Sequence, residues 1–300
     1  MTAAPAFRPL PPRPGTPHLF SVDVEDYFQV VAFEGLVARA DWDRHPSRVE
    51  ANTDRLLALL AERNVRGTFF TLGWVARKCP ALVARIAAAG HEVASHGEWH
   101  RRVTTLTPDQ FREELRASKA DLESAGGRAV LGFRAPSFSI IPGLEWAFDV
   151  LLEEGYRYDS SLFPIHRPDY GYPTAPAVPF LIERPGGTLL EIPLATTSVL
   201  GLRVPAAGGG YLRQFPLGLV RRAFREAEGQ GFPAAFYIHP WEYDPGQPRL
   251  PCGRVTAFRH YRNLHQTWPR MATLLTEFRF GSIQDAYGDL LGLAPARGAA

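Results

Sequence analysis

His18-Leu19-Phe20-Ser21-Val22-Asp23-Val24-Glu25-Asp26 is an apolar, β-branched run that ends in three carboxylates. A run of this kind reads as a strand buried in a parallel sheet, with its acids gathered at the C-terminal end. Working outward from residues 18–25, strand-like and helix-like segments alternate. Residues 67–72, 91–95, 131–135, 156–159, 188–196 and 234–239 read as six further strands. Residues 47–63, 74–89, 107–124, 144–154, 217–228 and 265–278 carry helical spacing, and Thr107-Pro108-Asp109-Gln110 is a good helix start with proline in the first turn. The order predicts an α/β fold: a single-domain barrel of about seven parallel strands, closed or nearly closed, or else an open doubly wound sheet. Two proline-rich stretches, 163–187 and 243–261, read as long loops that shape a binding site.

The composition sets the class. The chain has 300 residues, 45% apolar and 21% charged, which suits a folded protein with a full core. A formal charge of +2 gives no general argument for nucleic acid or an anionic membrane as partner. Cys79 and Cys252 lack metal-type spacing and read as reduced, idle thiols. Residues 1–17 have no apolar core of a secretory signal, and no run approaches the roughly 18 apolar residues that span a bilayer. The expectation is a cytoplasmic protein without an integral membrane segment; its oligomeric state is open.

The chemistry gathers at strand ends. Ser95-His96-Gly97-Glu98-Trp99-His100 follows the third strand and holds two histidines four residues apart. Two imidazoles and a carboxylate are the usual shell of a catalytic divalent ion that keeps a position for water, and a spare carboxylate beside them can act as a base. Asp23, Glu25 and Asp26 close the first strand, Arg134 the fourth, Asp159 the fifth and His239 the seventh. The C-terminal strand ends of a parallel barrel form its catalytic face, so these placements converge on one site. Taken singly, each has a plainer reading: a His-x3-His pair as surface decoration, Arg134 as an ion pair, His239 as a core histidine.

Several longer stretches carry a resemblance. Phe20 to Val30, Ser95-His96-Gly97 with His100, Phe133-Arg134-Ala135-Pro136-Ser137-Phe138, Tyr158 to Pro164, Gly208-Gly209-Gly210-Tyr211, His239-Pro240-Trp241-Glu242 and Phe258 to Leu264 occur in this order. The chain resembles the polysaccharide deacetylases of the NodB-homology class (carbohydrate esterase family 4). More narrowly, it is similar to exosortase-associated exopolysaccharide deacetylases with a C-terminal extension. The resemblance implies a distorted (β/α) barrel over residues 18–242, preceded by a flexible segment at 1–17 and followed by an extension at 243–300 packed on the barrel.

It also implies one divalent metal ion, zinc by preference, held by His96, His100 and a third ligand. Strand alternation favours Glu25 as that ligand; if the strand stops before Glu25, Asp26 is better placed, and we favour Asp26. Asp23 is then the general base, Arg134 its partner and His239 the acid. Asp159 takes the place of the residue that tunes His239. Pro136, Ser137 and Phe138 would supply an oxyanion turn, and Tyr27, Phe138 and Trp241 walls for a sugar. The implied reaction is removal of N-acetyl groups from an N-acetylated carbohydrate, an exopolysaccharide or its lipid-linked precursor. Rival readings are hydrolysis of another amide (a peptidoglycan sugar, a formyl group, a cyclic ureide) and a catalytically silent carbohydrate-binding module.

Overall fold

The computed structural model describes residues 5–167 and 170–293. Its strands are β1 (Ala6–Pro9), β2 (His18–Val24), β3 (Thr68–Thr71), β4 (Glu92–Ser95), β5 (Gly132–Phe133), β6 (Tyr158–Asp159), β7 (Phe180–Arg184), β8 (Gly187–Glu191), β9 (Thr196–Val199), β10 (Leu202–Pro205), β11 (Ala235–Ile238) and β12 (Phe280–Gly281). Its helices are α1 (Val49–Glu62), α2 (Gly73–Lys78), α3 (Pro80–Ala88), α4 (Pro108–Gly126), α5 (Trp146–Glu153), α6 (Gly209–Gln214), α7 (Leu217–Gly229), α8 (Arg254–Tyr261), α9 (Leu264–Glu277) and α10 (Ile283–Tyr287).

Strands β11, β2, β3, β4, β5, β6 and β8 run parallel in that spatial order. Beyond β8, Leu194 pairs in parallel with Ala235 of β11, which brings the two ends of the row together into a distorted seven-stranded barrel. The period-2 pattern of β2 explains its place. Phe20, Val22 and Val24 face outward into the layer shared with the helices, whereas Leu19 joins Phe70, Ala94, Tyr158 and Leu190 in the barrel interior. Ser21 and Asp23 continue the inward row toward the C-terminal edge, where both accept hydrogen bonds from Arg134.

The segment 1–17, expected to be flexible, contains β1 among its described residues. That strand pairs antiparallel with β7, Leu10 is buried, and Arg13 is ion-paired with Asp289. The stretch 163–187, expected as a loop, contains β7, which forms a hairpin with β8. The second expected loop, 243–261, ends in α8. The expected helix 74–89 is two helices, because Pro80 opens α3 and Cys79 before it leaves the helical region (φ −130°, ψ 57°). Helix α4 begins as its sequence indicates: the Thr107 side chain accepts from the Gln110 N–H, the Gln110 side chain answers to the Thr107 N–H, and Gly127 ends the helix at φ 65°. No helix among the described residues is long and apolar enough to cross a membrane.

Candidate functional site

The C-terminal strand ends surround a cavity of about 250 Å³ lined by Asp23, Glu25, His96, His100 and His239, with Trp241, Ser137, Phe138, Tyr170 and Tyr237 in its walls. Two buried loops carry the histidines. After β4 the chain turns through Gly97 (φ 77°) and His100 (φ 50°). The Glu114 carboxylate of α4 holds this turn by accepting from the Glu98 and Trp99 N–H groups, and Arg101 completes the clamp. Ion-pairing and backbone hydrogen bonds together fix a segment that carries no regular structure of its own.

His96 Nδ1 lies 2.8 Å from the Arg134 carbonyl oxygen, so this nitrogen carries the proton and Nε2 is left with its lone pair. Ligand atoms of Glu25, His96 and His100 all lie within 4.8 Å of one another. Glu25 Oε2 is 2.7 Å from His100 Nε2, yet it has no hydrogen-bond partner, because the contact lacks the direction of an N–H···O bond. A buried carboxylate oxygen and a buried imidazole nitrogen that meet without bonding are aimed at a common point. One carboxylate and two imidazoles around it form a donor set suited to zinc or a similar divalent ion. The residues present therefore fit the metal.

The rest of the shell orients these groups. The Trp241 indole N–H donates to Glu25 Oε1 at 3.1 Å, and the Trp241 ring is stacked between His239 and His260. Burial works against a charged Glu25, but His100, His239 and His96 outweigh it and hold the carboxyl down at about 2. Burial brings His96 down to about 4, which keeps it neutral as a ligand must be. Asp23 Oδ1 accepts from Arg134 Nη1 at 2.6 Å, while Oδ2 faces the cavity 3.8 Å from His239 Nε2. Arg134 is fully buried, also donates to Ser21, and to Ser160 through both its carbonyl and its hydroxyl, and so cannot swing away.

Two expectations are corrected. Asp26 is not at the metal cluster: its carboxylate accepts from Ser47 Oγ and from the Arg48, Val49 and Tyr27 N–H groups, anchoring the entry to α1. The ladder of β2 does stop at Val24, but alternation persists one residue further and keeps Glu25 on the side of Asp23. Asp159 does not reach His239. It accepts from Ser161 Oγ and shares a hydrogen bond with Glu191, and burial raises it to about 6. The residue on His239 Nδ1 is Glu242, at 2.9 Å, itself paired with the buried Arg213 at 3.0 Å. Burial opposes the imidazolium, but Glu242, Glu25 and Asp23 prevail and raise His239 to about 9.

Glu242 and Arg213 were missed, as was the Tyr170–Tyr211 hydroxyl pair at the cavity mouth. A signal for Glu242 existed: the strand-end His239 is followed by Pro240 and, three residues on, by an acid, the spacing of a capping box, formed here between the His239 N–H and Glu242. Of the expected sugar walls, Phe138 and Trp241 line the cavity, but Tyr27 does not. Its ring is buried edge-on to Phe28, part of the core. In the 136–138 turn, Ser137 and Phe138 both adopt left-handed backbone (φ 56° and 54°), strain that a side chain pays only where the turn is held from all sides. Ser161, donating to Asp159 and accepting from the Ala135 N–H, is one such hold.

Residues 40–143 match the family model described as polysaccharide deacetylase, and residues 160–288 match a domain of unknown function, DUF3473. The first match takes in His96, His100 and Arg134. A peptidoglycan-N-acetylglucosamine deacetylase of Bacillus cereus is 33% identical over 96 residues, 32% of this chain and 35% of that protein. A chitooligosaccharide deacetylase of Sinorhizobium fredii is 34% identical over 130 residues, 42% of this chain and 57% of that protein. The matched stretch thus spans between a third and somewhat over half of these curated relatives. Among solved structures, a Mycobacterium smegmatis protein assigned as a polysaccharide deacetylase superposes with a TM-score of 0.61 at 22% identity, covering 97% of this chain and 99% of that one. Puue allantoinase superposes at 0.54 with 17% identity, covering 84% and 86%; both are likenesses of fold. Residues 40–143 are thus similar to polysaccharide deacetylase domains.

Proposed function

We propose that the protein is a metal-dependent hydrolase that removes N-acetyl groups from amino sugars of an exopolysaccharide or its lipid-linked precursor. The observation that carries this reading is the Glu25, His96 and His100 cluster with Asp23 and His239 at its rim. When bound, a divalent ion, zinc by preference, supplies Lewis-acid polarisation to the acetamide carbonyl and to water. Asp23, oriented by Arg134, takes a proton from the water that attacks the carbonyl carbon. Pro136 has no N–H and that of Phe138 is bonded to the Ala135 carbonyl, which leaves the Ser137 N–H as the backbone donor for the developing oxyanion. His239, charged through Glu242, gives its proton to the departing nitrogen as the C–N bond breaks, and the products are acetate and a free amine.

The narrower assignment to deacetylases with a C-terminal extension draws support from the same chain region. Residues 160–288 match a second family model, the His260 ring stacks on Trp241, and Arg213, the partner of Glu242, donates to the His260 and Arg262 carbonyls. Among the rival readings, a silent binding module has no need of the Arg134–Asp23 and Glu242–His239 pairs. The test is acetate release from N-acetylglucosamine oligomers and lipid-linked amino sugars, with and without a chelator. Chelator-sensitive release is expected; no release from any N-acetylated sugar by the metal-loaded protein would refute the reading.

A further inference from the structure

Residues 245–276 contain five arginines, Arg249, Arg254, Arg259, Arg262 and Arg270, and no aspartate or glutamate. The even balance of the whole chain hides this local excess. Arg270 is taken up by the carbonyls of Leu212, Arg213 and Phe215. The other four make no ion pair among the described residues, whereas arginines on other helices, such as Arg85, Arg112 and Arg221, each meet carboxylates. Three of the four sit on or at the ends of α8 and are exposed.

The same helix turns two apolar side chains outward. Val255 is 66% exposed and Phe258 is 53% exposed, and with Arg259 and Arg262 they follow the i, i+3, i+4, i+7 spacing of one helix face. The Arg262 guanidinium covers the Phe258 ring at 4.7 Å. Beneath this face lie His260 and Tyr261, which pack on Phe33. Leu36, three residues further along, is 51% exposed, and Val31 and Ala32 on the other side of Phe33 line the catalytic cavity. The helix that bears this basic, apolar face is therefore packed, through His260 and Tyr261, on the segment whose Val31 and Ala32 line the cavity.

We propose that the outer face of α8 docks the protein on an anionic lipid surface. Exposed arginines alone would suit any polyanion, an acidic polysaccharide included. Phenylalanine and valine standing out among them match the boundary between phosphate headgroups and acyl chains, where cations meet phosphate and apolar side chains leave water. The short helix lies in the interface and does not span it. The docking is independent of the hydrolytic reading; if both hold, docking brings the protein to the membrane that would carry a lipid-linked sugar.

The experiment is co-sedimentation of the full chain with vesicles of phosphatidylcholine alone and of phosphatidylcholine with 30% phosphatidylglycerol (roughly the charge density of an anionic leaflet), at low and high salt. Binding to the anionic vesicles, weakened by salt and absent on the neutral ones, is expected. The pair Val255→Ser and Phe258→Ser, and separately Arg259→Glu with Arg262→Glu, should each weaken it by about tenfold. The first pair should leave acetate release from a soluble oligomer unchanged, which shows that it folds. No vesicle binding by the wild type, or binding indifferent to both variants, overturns the proposal. So does retention on an acidic polysaccharide that Val255→Ser and Phe258→Ser leave intact while no vesicle is bound. Vesicle binding without any deacetylation would leave docking in place and count against the hydrolytic reading alone.

Discussion

Asp23 and Glu25 close β2, and Asp159 and Glu191 close β6 and β8; all four are buried at the C-terminal edge of one barrel. Their neighbours differ. Around the first pair stand Arg134, His96, His100 and His239, and Glu25 is held down at about 2. The second pair has mainly hydroxyls and backbone around it and the two acids face each other, so burial wins and raises both, Asp159 to about 6. Two carboxylates at a strand end are thus not yet a site. Cationic and imidazole partners gather around one pair at the cavity; their scarcity makes the other a proton-sharing joint that holds the 133–138 turn.

Substitutions can break this contrast. The largest effect is expected for His96→Ala and His100→Ala, which should abolish bound metal and reduce acetate release to background, read by metal analysis and turnover together. Asp23→Asn should keep the metal and lose roughly a thousandfold in kcat; undiminished turnover would remove Asp23 from the role of base. Glu242→Gln should cost about ten- to a hundredfold and also move the pH profile. Glu242 raises His239 to about 9, so its loss lowers the histidine and the alkaline fall in activity begins at lower pH.

The smallest effect sharpens the comparison from the other side. Asp159→Asn should leave metal content intact and change activity little. Its folded-state value lies above the ordinary 3.8, so the protonated form is favoured in the folded chain. The stability it contributes is therefore full below that value and is lost as pH rises through about 6. Melting temperatures between pH 4 and 8 should fall less steeply for the variant than for the wild type. A parallel pair of curves would show that the Asp159–Glu191 joint does not titrate as described.

All seven parallel strands were legible, since strands buried on both faces read as continuous apolar runs bounded by turns. What escaped were β1, β7, β9, β10 and β12: short or edge elements whose pairing depends on partners distant in sequence, such as Ala6 with Glu183 or Phe280 with His18. At the site, residue types and strand-end positions brought Asp23, His96, His100, Arg134 and His239 together on paper. The choice between Glu25 and Asp26 was not legible, because it turns on how far extended backbone persists past the last ladder bond. Nor was the partner of His239, because strand order alone could not tell that Asp159 faces Glu191, and Glu242 lay only three residues away along the chain.

The most direct test of the account is a crystal structure of the zinc-loaded protein with anomalous scattering recorded at the metal edge. One peak is predicted at about 2.0–2.2 Å from a Glu25 oxygen and a nitrogen each of His96 and His100, with Asp26 still bonded to Ser47 and the start of α1. A peak coordinated by Asp26 instead, or zinc bound anywhere but between those two histidines, would contradict it.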